Sequence, residues 1–204
     1  MELLVTFVSY YVQLLAIMNP FSALPTFVAL TSGLDAATRK RILKRAYVAM
    51  LILVAAFATI GNLILMAFNI SIASLRIGGG VILMTLAIDM LGEAPRTKSM
   101  DPRDIAVVPI ATPLIVGPGT MTTLLLLTSL PSISNTLLVL GAGFLAATTS
   151  VLILELSEEL VRLLRMSTVR AIGRFMALII AGVAADMIAK GVEAYYAQML
   201  GSRG

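Results

Sequence analysis

The chain has 204 residues, 59% of them apolar and only 13% charged, with a mean hydropathy of +0.99. A water-soluble domain carries roughly twice that share of charge, about 25%, so the composition excludes an ordinary soluble fold and points to the bilayer. The net charge of +4 raises nucleic acid as a partner, but the basic residues sit in loops beside apolar segments, which is a topology signal, and nucleic acid is set aside.

Six apolar segments follow in chain order: about 3–30, 46–68, 76–92, 105–130, 135–156 and 171–194. Each reaches or approaches the roughly 20 residues needed to cross hydrocarbon. No charge falls between Glu2 and Asp35, between Arg45 and Arg76, or between Asp104 and Glu155. The opening Met1-Glu2 lacks a basic stretch and no cleavage pattern follows, so the first apolar segment is expected to be a retained span. Absence of strict polar–apolar alternation excludes a β-barrel. Residues 31–45 and 157–170 read as polar connections, the latter as an amphipathic helix end.

The basic residues of the connections set an orientation. Twelve fall on one side, among them Arg39, Arg96 and Arg162, and three on the other: Arg76, Lys190 and Arg203. The richer side is expected to be cytoplasmic, which places both termini outside the cell membrane.

Landmarks recur in order along the two halves. Pro20 and Pro25 in the first span match Pro113 and Pro118 in the fourth, each pair as Pro-x4-Pro. Arg76 through Gly80 heads the third span, Ala171 through Arg174 heads the sixth, and Asp89-Met90 recurs as Asp186-Met187. An odd number of spans per copy inverts the second copy, so the expected architecture is an all-α membrane protein of two inverted three-helix repeats. Residues 1–92 would form repeat 1, 93–104 a cytoplasmic linker, and 105–204 repeat 2.

Paired prolines remove backbone donors and clash with the preceding turn, so spans one and four are expected to be broken. Broken backbone leaves polar groups that survive in a bilayer only inside protein or beside a polar cavity. The carbonyl end of one half-helix and the N–H end of the next would suit a zwitterion. The expected substrate site comprises Asn19, Pro20, Phe21, Ser22, Ala23 and Pro25 from span one. From span four it takes Pro113, Gly117, Pro118, Gly119, Thr120, Thr122 and Thr123. Asp89 and Asp186 are carboxylates within spans and are the coupling-ion candidates, for a proton or sodium.

Asn19-Pro20 followed by Ala23 through Thr31 resembles a signature of the MarC family, which includes the SnatA small neutral amino acid transporters. So do Arg76 through Gly80, Asp89-Met90, and the run from Asp104 to Pro109 and on through Pro113 to Gly117-Pro118-Gly119. The resemblance implies six spans, transport of glycine, alanine or similar amino acids, and binding at the broken helices. It implies no cofactor, and neither do the residues: without histidine or cysteine the commonest metal ligands are missing. Partners are expected to be the amino acid, the coupling ion and lipid, with homo-oligomers open. The competing readings are a channel or exporter for another small solute, and an intramembrane aspartyl protease built on Asp89 and Asp186.

Overall fold

A computed structural model of the chain describes residues 1–92, 115–129 and 132–201. Among them are seven helices: α1 (Glu2–Met18), α2 (Pro20–Thr31), α3 (Ala36–Ala67), α4 (Ile72–Leu91), α5 (Pro118–Leu127), α6 (Ile133–Glu155) and α7 (Ser157–Gly201). Five helical stretches are long and apolar enough to span: 2–31, 36–61, 72–91, 133–155 and 157–197. Large apolar side chains such as Leu63, Met66, Phe68 and Leu178 are more than half exposed, as lipid-facing residues should be. The fourth expected span is seen only as the ten-residue α5, and the expected linker 93–104 lies outside the described residues.

Helix starts follow local chemistry. Asp35, Ser71 and Ser132 each accept a backbone N–H from the residue three positions on, opening α3, α4 and α6. Two expected boundaries change as a result. With Asp35 as cap, α3 begins at Ala36, so most of the basic stretch read as a connection is helix, made from the good helix formers Arg and Lys. The amphipathic stretch after residue 157 is helical and runs into the sixth span as α7, interrupted at Arg165, whose φ of 59° and ψ of 150° are not helical.

Two cores organise the bundle. The larger joins α1, α2, α3 and α6 with Ile115, Val116, Leu124 and the start of α7. Three tyrosines bolt α6 into it. Tyr10 donates to Asn135 Oδ1 (2.9 Å), Tyr11 bonds Thr149 (3.1 Å) and Tyr47 bonds Thr148 (2.9 Å). The smaller core joins Leu83 and Ala87 of α4 to Ile180, Ala184 and Met187 of α7, with Ile17 beside them.

Helices α4 and α7 run antiparallel and very close. A Cβ on Gly80 would lie 2.8 Å from the Ala184 carbonyl oxygen, and one on Gly191 3.0 Å from that of Ala73. Only glycine lets two backbones approach in this way. That register sets Asp89 near Ala177 and Asp186 near Gly80.

Candidate functional site

The break in the first span is real and narrower than the proline pair implies. Asn19 alone leaves the helix, at φ 41° and ψ 65°, in the left-handed region. Pro20 then opens α2 at its first position, where a missing N–H costs nothing, and Pro25 sits inside α2, where only one helical bond is lost. The helix therefore resumes at once instead of staying unwound to Pro25. Asn19 is buried, and its Oδ1 accepts the Ser22 N–H (3.2 Å), so the start of α2 is capped by its own chain. Its Nδ2 faces Ser22 Oγ (3.4 Å) and Met90 Sδ (3.8 Å). Ser22 in turn lies against Gly173 of α7, where a Cβ would come 3.1 Å from the hydroxyl.

The corresponding start of α5 differs. Pro118 again takes the first helical position, but its cap is Gly117, in extended conformation, with no side chain to offer. Helix geometry leaves the N–H groups of Gly119 and Thr120 without intrahelical acceptors. The Met121 N–H closes the first turn on the Gly117 carbonyl (3.0 Å).

This uncapped start borders a cavity of about 330 Å³. Its wall comprises Ile17 of α1, then Val81, Ile82, Thr85, Leu86 and Asp89 of α4, and Ile115, Gly117, Pro118, Gly119 and Thr120. Among the described residues of that wall, Asp89 alone carries a formal charge. The cavity wall therefore includes both a carboxylate and the positive pole of a helix start, among apolar residues.

Of the expected site residues, Gly117, Pro118, Gly119, Thr120 and Asp89 come together here. Asn19, Pro20, Phe21, Ser22, Ala23 and Pro25 do not line this cavity, and Ile17 is the only residue of the first span that does. Thr122 and Thr123 turn their hydroxyls to their own helix, bonding the carbonyls of Pro118 and Gly119 (2.9 Å each), and are buried. Pro113 lies outside the described residues. Asp186 is elsewhere: its side chain is 59% exposed and pairs with Lys190 at 2.8 Å. Along the antiparallel pair the two aspartates stand nine residues apart in register, about 14 Å at 1.5 Å per residue, too far to share a proton as a protease dyad does.

Residues 4–196 match the MarC family of integral membrane proteins. The chain belongs to that family. It is 30% identical over 200 residues to the UPF0056 membrane protein YvbG of Bacillus subtilis, covering 93% of this chain and 95% of that one. Identity to YhcE of Escherichia coli is 31% over 201 residues, 94% of each chain. A Methanocaldococcus jannaschii relative shares 29% over 196 residues, 92% of this chain and 96% of its own. No solved structure matches. The whole-length agreement means that α1 to α7 are the MarC unit itself.

The lining residues that a reading by motif misses are Ile17, Val81, Ile82, Thr85, Leu86 and Ile115. A signal existed for two of them: Val81 and Thr85 precede Asp89 at intervals of four, which puts all three on one helix face.

Proposed function

We propose that the protein is a secondary transporter that carries a small zwitterion, a neutral amino acid of the size of glycine or alanine, across the cell membrane. The observation that carries this reading is that the uncapped start of α5 and Asp89 line the same cavity. A carboxylate substituent accepts from the Gly119 and Thr120 N–H groups, and an ammonium group faces Asp89. Apolar neighbours such as Ile82 and Ile115 suit a small aliphatic side chain. Ser22 and Asn19, which satisfy one another at the other break, serve helix geometry in this scheme.

A fold of six spans in two inverted repeats supports such a role. Helices α4 and α7 pack antiparallel, and α2 and α5 both start on a proline after a non-helical residue. Contacts between elements also persist when the halves are exchanged: α2 lies on α6 as α5 lies on α3, and α2 lies on α7 as α5 lies on α4. Sites at such paired breaks are the common design of secondary transporters. Of the two coupling-ion candidates, Asp89 lies in the cavity wall, and Asp186 pairs with Lys190 outside it.

Reconstituted protein should take up labelled alanine or glycine under an imposed proton or sodium gradient. Asp89→Asn should lower that uptake at least about tenfold, the cost of one lost charge-assisted hydrogen bond. Absence of flux under every gradient, across a panel of small amino acids, refutes the transport reading.

A further inference from the structure

The cavity lies on a seam between two bodies of different stiffness. One body is the bundle of α1, α3 and α6, fixed by the tyrosine bonds to Asn135, Thr149 and Thr148 and by the larger core. The other is α4 with the distal part of α7, which share the smaller core around Leu83, Ala87, Ile180 and Ala184, with Ile17 of α1 at its edge. Within the second body backbone meets backbone, because Gly80 and Gly191 face carbonyl oxygens across the interface. Such a fit locks two helices against sliding.

The seam is held differently. Where α4 meets α5, the nearest neighbours of the glycines are side chains and not backbone: a Cβ on Gly119 would meet Leu83 Cδ2 at 2.5 Å, and one on Gly79 would meet Thr122 Cγ2 at 2.0 Å. Methyl groups seated on glycine hold by packing alone, without directional bonds.

Helix α7 connects the two bodies. Leu160, Val161, Leu164 and Val169 belong to the larger core, and Ser157 and Glu158 are held by Arg39 of α3. From Ile180 onward its buried side chains belong to the smaller core. Between these parts lies Gly173, seated on Ser22 just past the Asn19 break, whereas Arg165, in a backbone conformation that glycine favours, falls earlier, within the part held by the larger core.

We propose that α4 and the part of α7 beyond Gly173 move as one rigid unit, rocking against the α1–α3–α6 bundle about the Ser22–Gly173 contact and opening the α4–α5 cavity to either side in turn. This rests on the transport reading above and assigns the moving part. Arg39 keeps the first turns of α7 on the bundle, Val169 keeps the following ones there, and the change in direction of α7 falls at Gly173.

The chain contains no cysteine, so labels can be placed in pairs without background. Exposed positions serve: Ile88 of α4, Val192 of α7, Leu137 of α6 and Glu159 at the start of α7. Spin-label distances are measured in liposomes with and without alanine, and alanine uptake is measured on the same proteins. The Ile88–Val192 and Glu159–Leu137 distances should stay single and unchanged. The Ile88–Leu137 distance should shift or split by about 5 Å, the order of one helical turn. Movement of Ile88–Val192 as large as that of Ile88–Leu137 overturns the rigid unit. So does a fixed Ile88–Leu137 distance in protein that takes up alanine, which leaves the transport reading standing. Loss of all uptake by the unlabelled parent refutes the transport reading; the rocking unit then survives only if Ile88–Leu137 alone is split, and falls if it is single.

Discussion

Replacing Arg39 by alanine removes three contacts made by one side chain. The guanidinium is 14% exposed; its Nη2 donates to Ser157 Oγ at 2.6 Å, its Nη1 pairs with the Glu158 carboxylate, and its carbon lies 5.4 Å from the centre of the Phe27 ring. Glu158 is 71% exposed, so solvent screens the ion pair and it contributes no more than about 0.5 kcal/mol. The Ser157 bond is different, because Ser157 is fully buried and loses a charged donor, at about 1–1.5 kcal/mol. Stacking on buried Phe27 adds about 0.5–1 kcal/mol. Arg39→Ala should therefore destabilise by about 2–3 kcal/mol, and Glu158→Ala by only about 0.5 kcal/mol. Arg39→Lys should fall between, since an ammonium reaches one partner at a time. Unfolding in mixed micelles followed by circular dichroism reads these differences, the chain having no tryptophan. Raising the salt should erase the Glu158→Ala effect and leave most of the Arg39→Ala effect. Equal losses for the two alanine variants would show that the ion pair carries the junction and would refute this apportioning.

Other substitutions probe the remaining features. Asn19→Gly keeps the left-handed turn but loses the cap on Ser22, so it should cost only a few tenths of a kcal/mol, whereas Asn19→Leu adds backbone strain and should cost about 2 kcal/mol in the same unfolding experiment. Arg165→Gly relieves an unfavourable backbone conformation and should stabilise by about 1 kcal/mol; a loss would show that the side chain matters more than its φ of 59°. Gly80→Val places atoms against the Ala184 carbonyl and should destabilise by about 1–3 kcal/mol, while Gly182→Ala, with open space around it, should be neutral or better. Asp35 is exposed, and the Thr38 backbone N–H, then the Thr38 hydroxyl, hold its carboxyl below the usual value. Its cap is therefore at full strength above the ordinary carboxylate pKa of about 3.9 and fades as pH falls through the lower folded value. The stability difference between wild type and Asp35→Ala should close only under acid conditions, and a difference unchanged at pH 2 would exclude the cap.

Residence in the bilayer, the approximate positions of five apolar spans and the break near Asn19 could be read from the chain alone. Those properties are one-dimensional: a run of apolar residues, a proline without its N–H, and a cap three residues before its donor. Even the helical start at Ala36 was encoded locally, in Asp35 and Thr38, under charges that suggest a loop. What the chain could not order was the two breaks and the two aspartates, which look equivalent in sequence. Packing separates them. Asn19 turns its amide onto Ser22 and closes its own helix start, while Gly117 cannot and leaves a start open beside Asp89. Asp186 shares its motif with Asp89, yet the rotation of α7 turns it outward onto Lys190. Which face of a helix is buried depends on where Gly80 and Gly191 let the backbones touch, and that is a property of pairs of helices distant in sequence.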